Sequence, residues 1–346
     1  MAPRRRGPHH AQRAAQDPPE VRPTLPERVR REGTRLAKHV QQLVRRIEEP
    51  TLREAALQYP EAGGKLLRPA LAAMSCEAAG GEPTMADPLA ASVELVHTFS
   101  LVHDDLMDGD EMRRGVPSVH ADHGESTSIL AGDALFALAF EALGDLPETP
   151  PGVEVVGDVA RTARTLCEGQ RLDMSFEEDR PDVDRYESMI EKKTAVLFAC
   201  ATRNAALLGA SDEHVVDTLS RFGWTLGMGF QIQDDLLDLV GDPEDLGKPQ
   251  GSDVVAGKKT HPLLATRQRL EGEPRARFDA ILTGEASRED VEWVLHVAED
   301  TGALEASRQR AAGFFDQSQQ ALTTLPESPA REDLLETLAW LRERDR

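Results

Sequence analysis

The chain has 346 residues, 40% of them hydrophobic, which is enough for a substantial core, and 61 Asp+Glu against 40 Lys+Arg give it a formal charge of −21. A field of that sign disfavours nucleic acid as a partner and repels anionic ligands unless metal ions or local basic groups reverse it at the site. Aromatics make up only 4%, Ala and Leu are abundant and β-branched runs are few, so the composition predicts an all-α fold. Lys supplies only seven of the basic residues. Such an acidic, Lys-poor surface fits a salt-rich cytoplasm, where screening removes most of the self-repulsion. Full activity in low-salt buffer with loss at molar KCl would rule this out.

Residues 1–26 carry six prolines, the run Arg4-Arg5-Arg6 and no apolar segment, so they read as a disordered basic arm rather than a secretory signal. From about residue 25 onward helical periodicity dominates. Turn residues interrupt it at 80–83, 144–152, 180–182 and 241–251, separating ten or more helices. None of these breaks resembles a domain linker, and residues 27–346 are expected to form one large helical domain. The apolar stretch at 129–143 is broken by Asp133 and Glu141, so no membrane span is expected. Cys76, Cys167 and Cys200 lie far apart in apolar contexts without metal-ligand spacing and read as reduced core residues.

In chain order, the first chemical constellation is Gly63-Gly64-Lys65-Leu66-Leu67-Arg68-Pro69. Paired glycines would let a phosphate approach the backbone beside two cations, although the order of a P-loop is missing. Next comes Asp104-Asp105-x-x-Asp108 at the end of an apolar stretch, with His97 two turns earlier on nearly the same side and Arg113-Arg114-Gly115 just after. His97 could donate to an anion, or be a buried histidine satisfied by a carbonyl. Arginine forks match phosphate oxygens bidentately, yet an Arg pair alone is usually a solvated face.

A second cluster, Asp234-Asp235-x-x-Asp238, follows 130 residues after the first. Helix positions four apart share a face about 6 Å apart along the axis, so Asp104 and Asp108 aim the same way, and Asp234 and Asp238 do likewise. Like charges at that spacing destabilise a helix by roughly 0.2–0.5 kcal/mol per pair, so something must offset them. Carboxylate oxygens suit Mg²⁺, which takes few protein ligands and fills its octahedron with water and substrate phosphate. Two solvated acidic helix ends are the bland alternative. Matched flanks favour a diphosphate bridged by magnesium between facing helices.

These motifs, with Gly169-Gln170-x-x-Asp173, Lys193-Thr194-Ala195, Gln231, Gly251-Ser252-Asp253 and Gly257-Lys258-Lys259-Thr260, stand in the order seen in trans-isoprenyl diphosphate synthases, which the chain resembles over roughly residues 61–262. The resemblance implies a helical bundle around a central hydrophobic cavity, acting as a cytoplasmic, homodimeric head-to-tail prenyltransferase. It implies that isopentenyl diphosphate condenses with an allylic diphosphate (dimethylallyl, geranyl or farnesyl) through an allylic carbocation. Carried over residue by residue, Asp104, Asp105, Asp108, Asp234 and Asp238 would face Mg²⁺. Arg113, Lys193, Thr194, Gln231 and Lys258 would touch the allylic diphosphate, while Lys65, Arg68, His97 and Arg114 would hold isopentenyl diphosphate. Asp104, Asp105, Asp108, Asp234, Lys193 and Lys258 would serve the reaction itself.

Two positions depart from the family pattern: Leu66 stands where Arg is common, and His261 where an apolar residue precedes Pro262. Phe99, about 7.5 Å down the axis from Asp104, and the small Ser100 would set the floor of the growing chain. An aromatic five before the motif with a small residue four before it resembles archaeal-type synthases of geranylgeranyl diphosphate (C20). Farnesyl (C15) and geranylfarnesyl (C25) products are the alternatives. A class I terpene cyclase would carry a different second motif and would not need Lys65 and Arg68, and a non-catalytic partner subunit usually loses one Asp motif.

Overall fold

The computed structural model describes residues 24–176, 181–209, 212–241 and 250–343. The arm expected at 1–26 lies outside them as far as residue 23, and so do parts of the breaks expected at 180–182 and 241–251. The expected all-α architecture is what forms. Helix α1 (Glu27–Val44) starts where the arm was expected to end and buries Val29, Leu36, Val40 and Leu43 along one stripe. Helix α2 (Pro50–Ala62) opens on Pro50, and the Glu49 carboxylate caps it by accepting from the amides of Thr51 and Leu52.

Helix α3 (Leu67–Ala78) is sealed between its neighbours, with Ala70, Leu71, Ala72, Ala73 and Met74 fully buried. It packs on α4 (Asp87–Asp108), which carries the first acidic cluster at its C-terminal end. Between α4 and the next helices lies the strand pair β1 (Met112–Arg113) and β2 (Val116–Pro117), joined through Arg114-Gly115. Arg114 itself adopts φ 53, as the first position of a tight two-residue hairpin turn requires. After the short α5 (Val119–His123), helix α6 (Glu125–Leu143) lies along α4.

Helix α7 (Pro150–Ser175) is followed by α8 (Val183–Ile190), a π-helical turn at Glu191–Ala195, and α9 (Val196–Gly209). The long α10 (Glu213–Val240) ends in the second acidic cluster and packs on α9. Beyond it come α11 (Ser252–Val255), α12 (His261–Arg269), α13 (Gly272–Ile281), α14 (Arg288–Asp300), α15 (Ala303–Thr323) and α16 (Pro329–Arg342). One apolar core gathers around α4, α6 and α9, another around α3, α10, α15 and α16, and a third braces the chain after the second acidic cluster.

The π-helical turn is clamped from two sides. A Cβ on Gly169 of α7 would fall 2.4 Å from the backbone nitrogen of Lys193, and one on Gly227 of α10 would fall 2.6 Å from Cα of Ala195. Only hydrogen fits at either point, so α7 and α10 press the backbone of Lys193-Thr194-Ala195 between them. Any side chain there would push rigid backbone apart, at a cost of roughly 1–3 kcal/mol.

Two expectations need amending. Cys76 and Cys200 are buried, but Cys167 on α7 is exposed. Among the described residues α6 is long and apolar enough by composition to cross a membrane, with a mean hydropathy of 1.4, although 44% of that stretch is buried inside the protein. Its position along α4 is that of a core helix with one open face.

Candidate active site

Adjacent residues on a helix point about 100° apart, so Asp104 and Asp105 cannot serve the same surface. Asp105 turns inward and is fully buried. Arg113 donates to it from Nε at 2.9 Å and from Nη2, and the Tyr59 hydroxyl of α2 donates to its other oxygen. The backbone N–H of Val119 donates to that same phenol at 3.3 Å, which ties α5 into the knot. Asp104 and Asp108 point the other way. Lys193 lies 2.7 Å from Asp173 of α7 and 3.8 Å from Asp104, while Lys258 lies 3.8 Å from Asp108. Burial pushes the Asp104 carboxyl up to about 6, against the pull of Lys193. Burial works to lower the Lys193 ammonium, but the Asp104 and Asp173 carboxylates outweigh it and the net shift is upward.

The second acidic end repeats the inward anchor. Asp235 is buried and accepts from the Tyr186 hydroxyl, from Gln231 Nε2 at 2.9 Å and from the backbone N–H of His261 at 3.3 Å. Burial, with Asp253 close by, pushes its carboxyl up to about 7. Asp238 is also buried and holds the following segment, accepting from Ser252 Oγ at 2.5 Å and the Asp253 backbone N–H at 2.9 Å. That segment carries Lys258, whose N–H bonds back to the Asp253 carbonyl at 2.9 Å. His261 now has a physical account: its ring shares a hydrogen bond with Ser307 of α15 at 2.9 Å and meets Tyr186 edge-on, locking the start of α12 beneath Asp235.

The two ends therefore open onto a common region. Lys193 reaches α4 and α7, its neighbour Thr194 donates to Gln231 of α10 at 2.9 Å, and Lys258 crosses from the second cluster to the first. Beside them lies a cavity of about 370 Å³, lined by Gly63, Gly64, Lys65, Arg68, Glu94, His97, Arg114, Phe198 and Phe230. Lys65 stands 5.6 Å over the Trp340 ring of α16, Arg68 stacks 4.2 Å from the Phe198 ring, and Arg114 donates to the Gly63 carbonyl. Burial, reinforced by Arg68 and Arg114, holds His97 neutral, its pKa well below the usual imidazole value. Leu66 takes φ 48 at the start of α3 and packs toward Gly33 of α1, so its side chain leaves the polar rim to Lys65 and Arg68.

Comparison with known proteins agrees with this arrangement. Residues 49–298 match the polyprenyl synthetase family. A short chain isoprenyl diphosphate synthase of Methanothermobacter thermautotrophicus is 42% identical over 301 residues, 86% of this chain and 92% of its own. The chain belongs to the polyprenyl synthetase family. A geranylgeranyl pyrophosphate synthase of Geoglobus acetivorans is 41% identical over 309 residues, 88% of this chain and 95% of its own. A solved structure of the geranylgeranyl pyrophosphate synthetase of Pyrococcus horikoshii superposes with a TM-score of 0.88 at 35% identity, covering 92% of this chain and 98% of that one.

For this polyprenyl synthetase the geometry sorts the expected site residues. Asp104, Asp108, Lys193, Thr194, Gln231 and Lys258 gather around the region between the helix ends, Asp234 acts on Arg68, and Lys65, Arg68, His97 and Arg114 gather around the cavity. Phe99 and Ser100 are buried on α4, with Phe99 meeting Phe136 of α6 edge-on at 5.0 Å between ring centroids. Protein donors reach both oxygens of Asp105 and of Asp238, the two expected metal-facing residues, and Arg113 directs Nε and Nη2 to Asp105. Tyr59, Tyr186, Glu94 and Asp173 went unassigned. The chain has only two tyrosines, and both hold the second aspartate of a cluster, a coincidence visible only once the fold brings them together.

The donor set suits Mg²⁺: Asp104, Asp108 and Asp234 offer hard oxygens from two helices. Among the described residues no three His, Cys, Asp or Glu side chains close into a cage of their own. An ion that keeps water and substrate phosphate in its shell needs no such cage. Because protons compete with the metal for Asp104, whose pKa burial raises to about 6, magnesium affinity should weaken as the pH falls through 6. Titrating Mg²⁺ against activity between pH 5.5 and 8 checks this, and a half-saturating concentration that stays flat across the range would contradict it.

Proposed function

We propose that the chain is a Mg²⁺-dependent, head-to-tail isoprenyl diphosphate synthase whose main product is geranylgeranyl diphosphate. The observation that carries this reading is Lys258, held by the second acidic segment yet 3.8 Å from Asp108 of the first, which gives one diphosphate both acidic ends and two lysines at once. When bound, Mg²⁺ would join Asp104, Asp108 and Asp234 to the allylic diphosphate and neutralise the charge that develops as it leaves. Lys193 and Lys258 hold the same leaving oxygens, and Thr194 and Gln231 orient them. The allylic C–O bond breaks with its electron pair going to diphosphate. The double bond of isopentenyl diphosphate, seated on Lys65, Arg68, His97 and Arg114, attacks the allylic carbon, and a proton is lost from the isopentenyl unit.

A carbocation survives only where water is excluded, and the Phe198 and Phe230 walls supply that dryness. Chain growth runs down α4 past the small Ser100 to Phe99, which is wedged between His103 and Phe136 and so resists displacement. We infer that two copies pair through the open face of α6 and the start of α7. Ile129, Leu130, Phe136, Val153 and Val156 are all exposed there, an apolar face of the kind that marks a protein contact. The substrates are water-borne diphosphates, which agrees with a cytoplasmic enzyme.

Purified protein given Mg²⁺, isopentenyl diphosphate and C5, C10 or C15 primers should release mainly C20 product. Ser100→Phe should shorten it to C15, and Phe99→Ala should lengthen it. A dominant C15 or C25 product from the unaltered enzyme would overturn the assignment, and unchanged products from both variants would remove Phe99 and Ser100 from the floor. Leu130→Glu should convert a dimer to a monomer by light scattering, whereas a dimer that survives this change would place the interface elsewhere.

A further inference from the structure

Glu94 is an acid among cations meant for an anion. It stands on α4 one turn before His97, is buried, and lines the same cavity as Lys65, Arg68, His97 and Arg114. If that cavity seats isopentenyl diphosphate, as proposed above, a permanently ionised carboxylate would repel the incoming ligand at close range. It nevertheless balances charge there. Arg68 is buried against the Phe198 ring with its Nε lacking a hydrogen-bond partner, and Arg114 faces it as a like charge. Glu94 leads the opposing charges that keep both guanidiniums ionised.

We propose that Glu94 is a proton-coupled counter-ion: ionised, it balances Arg68 and Arg114, and as a diphosphate enters the cavity it takes one proton from solvent and stands neutral beside the ligand. No covalent bond to the substrate forms or breaks in this step. The charged and titratable groups sharing the cavity with Glu94 are Arg68 from α3, Lys65 from the loop before it, Arg114 from the β1–β2 hairpin and His97 from α4 itself, with Arg113 acting on His97 and Asp234 of α10 on Arg68. The arginines are already protonated near neutral pH, so the cavity groups with a proton to gain are Glu94 and the neutral His97, and the Glu94→Gln variant tells the two apart. Burial pushes its carboxyl up to about 7 while Arg68 and Arg114 hold it down. An arriving anion diverts those two cations and adds its own negative charge, and both effects move the carboxyl further up. The complex therefore binds more protons than the free enzyme, and affinity must weaken as pH rises.

The test is calorimetric titration of isopentenyl diphosphate into the enzyme without allylic substrate, at pH 7.5, in two buffers of different ionisation heat. Because a carboxyl near 7 is already about a quarter protonated at pH 7.5, the unaltered enzyme should take up about three-quarters of a proton per ligand bound, and Glu94→Gln should take up none. The ligand's own phosphate, with a pKa near 6, would release protons on meeting cations, which is the opposite sign. In steady state the KM for isopentenyl diphosphate should rise by nearly tenfold per pH unit above about pH 7.5, a slope that Glu94→Gln flattens. Proton release or no proton change in the unaltered enzyme overturns the proposal, a result that stands even if the variant fails to fold. Equal uptake by Glu94→Gln overturns it as well. Failure of isopentenyl diphosphate to bind the unaltered enzyme would overturn the cavity assignment along with it.

Discussion

Carboxylates crowded at the ends of two helices repel one another, and most of the polar structure nearby counters that repulsion. Burial adds to this by withdrawing water from the charged form itself, which is the main reason Asp104 and Asp235 are both harder to ionise than a free aspartate. The fold answers in two ways. Inward-facing Asp105 and Asp235 each receive a phenol and further protein donors, so their charge is enclosed. Outward-facing Asp104 and Asp108 are met by Lys193 and Lys258 across gaps of 3.8 Å, wide enough that neither lysine closes the site.

This division of labour within each cluster links stability to function. Removing an enclosed partner would leave a buried carboxylate short of donors, an expense of about 1–3 kcal/mol that the helix end would have to absorb. The outward pair is met only across gaps of 3.8 Å, at Lys193 and Lys258. The clamp on the π-helical turn serves the same end: with Gly169 and Gly227 pressing its backbone, Lys193 is delivered to Asp104 by rigid elements rather than by a loop.

Much of this was legible in the sequence because it depends on short spacings. Helix content, the two matched clusters and the basic residues near each follow from residues within a turn or two of one another. Which way each aspartate faces does not, since Asp105 is turned inward by Tyr59, 46 residues earlier, and Asp235 by Tyr186, 49 residues earlier. The partners of Asp238 were hidden for the same reason: Ser252 and Asp253 lie 14 and 15 residues further along the chain. Glu94 was passed over because an acid in an apolar helix reads as an exposed residue until the packing of α3 and the hairpin against it is known. The hairpin at Arg114 was missed because strands of two residues leave no alternating pattern to detect.

In the proposed reaction both acidic ends act on one diphosphate through shared Mg²⁺. The most direct measurement is the Mg²⁺-dependent binding of an unreactive allylic thiolodiphosphate to Asp104→Asn, Asp234→Asn and the double variant. Each single change should weaken binding by at least about tenfold and the double change should add little further, because the residues work as a unit. Losses that simply add, or full binding by Asp234→Asn, would contradict it.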